Sequence, residues 1–344
     1  MQYLYDIEFI RGKAVESLIA FGLSNNDANV VVDSMLAADL NGVSTHGIRM
    51  LPAYIQKLNK GAYSFTQPVV VKQFPAFTII DAQNTIGAVS ASYAVEIATK
   101  QADANGIHTV FSRGSNTFGP AFYYVEKIAS HGMIGFVCSN APAAMPAFNG
   151  LEAMLGTNPF AFALPTKSYG NIVMDMATSI VAKSRFGVAK AKGEKLGQGW
   201  ALDRNGNPTT DPDEGIKGFV LPMAGFKGYG IAMMIDIMSG FLSGSGFLNN
   251  VGKFYSDNDA CMNVGHMIMA VNPKMIYDGD FLSDADKYVE TLKNSKVMDG
   301  KSIALPGDDR KMNKKEAIKN GIALTQDVVE KLETIFNEKL CVKR

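Results

Sequence analysis

The 344-residue chain reads as an α/β protein with helical material at both ends. Three observations carry that class. A capped, helix-type segment opens near Ser24, strand-like and helix-like segments alternate through the middle, and the tail from about Asp284 is mainly helical. The length allows two or three domains. The organisation divides into an N-terminal helical part (residues 1–75), a central α/β domain (76–283) and a C-terminal mainly helical part (284–344).

Ser24-Asn25-Asn26-Asp27 supplies an N-cap and a first-turn acid, so a helix is predicted to about Leu40. A second helix is predicted from about Gly47 to Lys60, ended by Gly61. Phe77–Asp81 follows as a strand, Ser90–Asn105 as an Ala-rich helix, His108–Ser112 as a strand, and Phe118–His131 as a helix. Ile134–Cys138, Phe160–Leu164 and Ile172–Asp175 have the apolar, β-branched or aromatic content of buried strands. Trp200–Thr210 reads as a hairpin about Asn205-Gly206. A helix returns over Gly228–Leu242, and His266–Val271 is strand-like.

Composition excludes several function classes. Lys+Arg and Asp+Glu both total 33, so no net field draws the chain to nucleic acid or a membrane. The apolar stretch Tyr229–Phe247 contains Asp236 and several small residues, which favours a buried helix over a membrane span. Cys138, Cys261 and Cys341 are sparse and odd in number, as in a reducing compartment, and the expected location is cytoplasmic. Asp, Glu and His are not clustered at ligand spacing, so no metal site is expected.

The chemistry concentrates in Gly42-Val43-Ser44-Thr45-His46-Gly47-Ile48-Arg49, in a chain with four histidines and seven arginines. Histidine exchanges a proton near neutrality, and arginine grips a carboxylate with two parallel hydrogen bonds. A start of the second helix at His46 would add backbone N–H groups favourable to anions. The dinucleotide fingerprint G-x-G-x-x-G is absent; Gly225-Phe226-Lys227-Gly228-Tyr229-Gly230 has another spacing.

These residues resemble a family. Gly42–Gly47, Ser112–Gly119, Leu155–Pro159, Met174–Ser179, Gly199–Asp203 with Pro208–Pro212, and Lys227–Gly230 are similar, in order, to the malate/L-lactate dehydrogenase family of the non-Rossmann type. That family also holds ureidoglycolate and sulfolactate dehydrogenases and diketogulonate and cyclic-imine reductases. The resemblance implies an NAD(P)-binding domain with a largely antiparallel sheet, a homodimer, and transfer of a hydride between nicotinamide and a small 2-hydroxy acid. Malate is expected ahead of lactate. Ureidoglycolate dehydrogenase and a non-catalytic nucleotide-binding relative are the alternatives.

On this resemblance His46 is the proton donor, and Thr45 occupies the place of a serine that links it to an acid matched by Asp175. Arg49 is the candidate carboxylate clamp, although the family's arginine falls one residue later, where Met50 stands. A helix would put both positions on about the same face. Tyr54, Asn116 and Thr117 are the other candidate substrate contacts; Thr117 replaces a histidine that is the base of the ureidoglycolate branch. Arg113 or Arg185 would take the second carboxylate of malate. The candidate cofactor contacts are Asn140, Asp175, Met176, Ala177, Thr178, Ser179, Lys227, Gly228, Gly307, Asp308 and Asp309. The acids Asp308 and Asp309 would repel a 2′-phosphate, which favours NAD over NADP.

Overall fold

Ser24 caps its helix as the sequence requires: its hydroxyl accepts the Asp27 N–H at 3.1 Å. Ahead of it lies α1 (Ile7–Ala20), which the sequence reading leaves unassigned, capped by Asp6 accepting from the Phe9 N–H at 2.8 Å. The capped helix is α2 (Asn25–Leu40), and α1 and α2 pack through Ile10, Ala14 and Leu18 against Val31, Val32 and Met35. The computed structural model describes residues 2–255 and 261–342.

The expected second helix begins later. Two 3₁₀ turns, Ser44–His46 and Ile48–Met50, come before α3 (Leu51–Asn59). Pro52 sits in the first turn of α3, where a missing N–H costs nothing, and so favours a start at this point. Gly47 between the turns is extended, at φ −80° and ψ −166°. His46 therefore ends a 3₁₀ turn instead of opening an α-helix.

The central sheet has seven strands: β1 (Val69–Gln73), β2 (Phe77–Asp81), β3 (Ile107–Ser115), β4 (Ile134–Ser139), β5 (Phe160–Leu164), β6 (Ile172–Met176) and β7 (Val264–Val271). Their spatial order is β1-β2-β3-β7-β4-β5-β6. Only β2 and β3 run parallel, joined by the crossover helix α4 (Gly87–Asn105); the other pairings are antiparallel. A tight hairpin can link antiparallel neighbours, whereas a parallel pair needs such a crossover.

Alternation along the strands covers both faces. On one, Ile80, Val110, Val137, Ala161 and Ile268 meet α4 and α5 (Ala121–Ser130). On the other, Cys138 and Met267 meet Ile235 of helix Phe226–Ile235, which continues as a π-helical turn, Asp236–Phe241. Gly87, at the start of α4, has no room for a side chain: a Cβ would stand 2.2 Å from the Asn116 carbonyl oxygen. That close approach brings the segment after β3 against α4.

The chain ends share a core. Strand Gln2–Tyr5 pairs antiparallel with Ile322–Thr325, and helix Gln326–Phe336 packs its Val329 and Leu332 into the cluster of α1, α2 and α3. A smaller lobe holds the expected hairpin, with Ala201–Leu202 paired to Pro208–Thr209. Among the described residues no helix is long and apolar enough to cross a membrane.

Candidate active site

A cleft of about 300 Å³ opens where the His46 turn faces the ends of β4 and β6 and the segment after β3. Thr45, His46, Thr117, Asp175, Met176 and Ala177 border it, together with the Asn140 segment. Residues more than 120 positions apart in the chain therefore meet at one site, because α2 packs on α4 and α5 and the segment after it, Val43–His46, faces the strand ends.

His46 is the only one of the four histidines that borders this cleft. Its ring is open to the cleft yet crowded by protein, and that desolvation lowers its pKa from the ordinary imidazole value. Neither ring nitrogen has a hydrogen-bond partner among the described residues. His108 and His266 are buried and bonded at both ring nitrogens, His108 to Thr78 and the Pro75 carbonyl. His131 is exposed at the C-terminus of α5.

Asp175 and Thr45 share the cleft without a hydrogen bond between them among the described residues. Oδ2 of Asp175 instead accepts the Phe122 N–H at 3.0 Å. Burial raises its pKa, opposed by that N–H and by Arg310. The acid is thus anchored at the N-terminus of α5, which favours negative charge. Thr117 is half-buried on the cleft wall, and its carbonyl faces the Tyr54 hydroxyl at 3.4 Å. Tyr54 also lines a small enclosed recess with His46, Met50 and Thr117. Burial raises the Tyr54 pKa above its ordinary value, so it stays a neutral phenol.

Other candidates lie elsewhere. Arg49 is exposed and does not line the cleft, whereas Met50, at the family's arginine spacing, lines the recess. The helix geometry expected for His46 and Arg49 fails because extended Gly47 breaks the register between two 3₁₀ turns. Asn116 is buried, with Nδ2 donating to Asn84 and Thr85 and Oδ1 accepting the Met262 N–H at 3.2 Å. Arg113 is paired to Asp81 at 3.1 Å, and Arg185 is exposed away from the cleft.

The cofactor candidates separate into three places. Asp175, Met176 and Ala177 border the cleft; Thr178 is buried, its hydroxyl donating to the Thr157 carbonyl at 3.0 Å, and that of Ser179 to Val181. Asn140 reaches the cleft edge, but its side chain is consumed internally, by the Gly265 N–H, the Gly246 carbonyl and Asp236. Lys227 and Gly228 begin helix Phe226–Ile235, just beyond Gly225, which lines a second groove of about 500 Å³ with Ile180 and Phe148. Segment 175–180 runs from the first cavity to the second, a layout suited to an elongated, two-ended ligand such as a dinucleotide.

Gly307 lines a third, basic recess with Arg310, Lys311 and Lys314. Asp308 turns back to cap its own turn, accepting the Leu305 N–H at 3.0 Å, and pairs with Lys293, while Asp309 is exposed. Arg310, Lys311 and Lys314 outnumber Glu126 around the recess, so Asp308 and Asp309 give no ground for excluding a 2′-phosphate. Arg310 is the residue that the sequence reading missed. It borders both this recess and the His46 cleft, stacks over Phe122 at 5.3 Å and donates to the Val173 carbonyl. Its signal was its place directly after Gly307-Asp308-Asp309.

Comparison with known proteins identifies the family and the fold. The model of a family described as malate/L-lactate dehydrogenase matches residues 6–333. The malate/(S)-sulfolactate dehydrogenase of Methanothermus fervidus is 33% identical over 330 residues, covering 95% of this chain and 96% of that protein. The (2R)-3-sulfolactate dehydrogenase (NADP(+)) of Chromohalobacter salexigens is 31% identical, covering 93% and 94%. The ureidoglycolate dehydrogenase (NAD(+)) of Escherichia coli is also 31% identical, covering 92% and 91%. The solved sulfolactate dehydrogenase of Methanocaldococcus jannaschii superposes with a TM-score of 0.91 at 32% identity, over 98% of both chains. The chain belongs to the malate/L-lactate dehydrogenase family and is an NAD(P)-dependent 2-hydroxy-acid dehydrogenase.

Proposed function

We propose that this enzyme interconverts a small 2-hydroxy acid and its 2-oxo acid, with malate/oxaloacetate ahead of lactate/pyruvate. The observation that carries the proposal is the meeting of His46, Thr117 and Arg310 in one cleft above Asp175. A proton-exchanging ring, a hydroxyl and a guanidinium are what an alkoxide–carbonyl pair flanked by carboxylates needs.

When bound, the nicotinamide supplies the hydride to the carbonyl carbon, or takes it from the hydroxy-bearing carbon. In reduction, protonated His46 gives its proton to the carbonyl oxygen as the carbon–oxygen double bond becomes single. In oxidation, neutral His46 removes the hydroxyl proton. Desolvation favours the neutral ring, so at neutral pH the site is set for oxidation. Asp175 lies in the same cleft, where a negative charge would stabilise the imidazolium formed. Arg310 supplies the cation for a carboxylate, and the cleft edge at Met176 and Ala177, with the groove reached through Ile180, would hold the cofactor. The same charge pattern suits sulfolactate, named in the relatives.

Thr117 opposes a ureidoglycolate reaction that depends on a histidine base at this position, because a hydroxyl does not exchange protons near neutrality. We also infer a homodimer in a reducing, cytoplasmic setting. Helix Phe226–Ile235 and the turn after it expose Phe226 (64%), Met234, Ile237, Phe241 (62%) and Leu242 on a run too apolar for an isolated chain, and the three cysteines are unpaired. Sedimentation showing a monomer at micromolar concentration would overturn the dimer.

The substrate test is a steady-state panel with NADH and NADPH against oxaloacetate, pyruvate and 3-sulfopyruvate. Turnover highest with oxaloacetate is expected. A preference for pyruvate by tenfold or more would reverse the proposed order, and no turnover on any would contradict the class.

A further inference from the structure

We propose that Asp39 is a positioning residue that holds the peptide between His46 and Arg49 in its working geometry. The proposal rests on the reading of His46 as the proton-transfer group. Asp39 lies in the last turn of α2, where the free carbonyls and the helix dipole oppose a negative charge. An acid there is unfavourable for the helix alone. Its carboxylate nevertheless reaches nine residues along the chain, and Oδ2 accepts the Ile48 N–H at 2.6 Å.

The fit is mutual. A Cβ on Gly47 would stand 1.9 Å from Oδ1 of Asp39, so the carboxylate occupies the space that a side chain would take. Gly47 and Ile48 form the peptide unit directly after His46 and before Arg49. Holding that unit holds the backbone that carries the imidazole toward the cleft. The short α2 turn at Asn41-Gly42 is supported from helix Asp308–Asn320 by Asn313, which is uncharged.

Burial pushes the Asp39 carboxyl up to about 7, against the opposing pull of the Ile48 N–H and Arg49. Arg49 is the charged group acting on it among the described residues; His46, one turn away, titrates separately below the ordinary imidazole value. The ionised carboxylate makes a charge-assisted bond to Ile48 that weakens on protonation. Turnover then depends on two ionisations, one near 7 from Asp39 and one lower from His46.

The test compares the full-length wild type with Asp39→Asn and His46→Gln, following oxidation of the preferred hydroxy acid from pH 5 to 9. Asp39→Asn is expected to lower kcat about tenfold while KM for the cofactor stays within about twofold, and to abolish the limb near 7. Its melting temperature at pH 8 is expected to hold or rise, because a desolvated charge is removed. With His46→Gln inactive, an Asp39→Asn enzyme of wild-type kcat and unchanged pH profile would overturn the positioning role. Full turnover in His46→Gln would overturn the acid–base reading itself, and the Asp39 role with it. If Asp39→Asn does not fold, the wild-type profile decides: two ionisations support the proposal and one overturns it.

Discussion

His46 and His266 are both held below the ordinary imidazole pKa by crowding, but their surroundings differ in every other respect. His266 is fully buried on β7, stacked on Phe118 with ring centroids 4.6 Å apart. Ser139 Oγ lies 2.9 Å from its Nδ1, and Ser115 Oγ lies 2.9 Å from its Nε2. The Ser139 hydroxyl also donates to the Asn140 carbonyl, so Nδ1 carries the proton and Nε2 accepts from Ser115. Every lone pair and proton of that ring is assigned. His46 faces the cleft with both nitrogens free among the described residues. A histidine whose bonds are complete serves the fold; one with an open nitrogen beside a cavity can serve a reaction. Desolvation alone does not distinguish them.

The largest test of this contrast is His46→Ala. Removing the general acid–base is expected to lower kcat by about 10²- to 10⁴-fold with little change in melting temperature, since the ring makes no hydrogen bond in the fold. His266→Ala should do the reverse. It takes the ring partner from two buried hydroxyls, leaving Ser139 with backbone carbonyls and Ser115 with Ser90, and opens a void beneath Phe118, for a loss of about 3 kcal/mol read by urea denaturation. Equal effects of the two substitutions on both readouts would erase the distinction.

The same pair predicts pH dependence in two different readouts. The folded-state pKa of His266 is lowered to about 3, so the unfolded chain binds the extra proton. The stability associated with neutral His266 is complete above about 6.5 and is lost as pH falls toward 3. His46 instead governs rate. Hydroxy-acid oxidation should rise as pH increases through its lowered pKa, and oxo-acid reduction should fall.

Smaller effects follow on the cleft wall. Arg310→Met should raise KM for a dicarboxylic oxo acid by about tenfold, with less effect on pyruvate, if the guanidinium takes the second carboxylate. Thr117→Val should cost only a few-fold in kcat/KM, the worth of one neutral hydrogen bond. A loss as large as that of His46→Ala would make Thr117 part of the proton path.

How much of this was legible in the sequence follows from the range of the forces involved. The α2 cap, the apolar strand runs and the Asn205-Gly206 hairpin are local patterns, and the structure forms all of them. Helix α1 and the edge pairing of Gln2–Tyr5 with Ile322–Thr325 lack a strong local signal because their packing partners come from the other chain end. The His46 motif was visible, but its backbone depends on Pro52 and an extended Gly47, so the assumption of one helix misplaced Arg49. Asn116 and Asn140 carried family spacing, but buried groups from distant segments consume their amides, and those groups meet only in the fold. Arg310 lies 264 positions from His46, so its place after Gly307-Asp308-Asp309 was the one local sign of it.

The most direct measurement is an NMR titration of the histidine Cε1–H resonances, set beside the pH profile of hydroxy-acid oxidation. The chain has only four histidines, and His46→Ala assigns the relevant signal. His46 is expected to titrate below 6.5, at the lower kinetic ionisation, while His266 does not titrate above about 4. A His46 that titrates above 7, or a lower kinetic limb that persists in an active His46→Ala enzyme, would contradict this expectation.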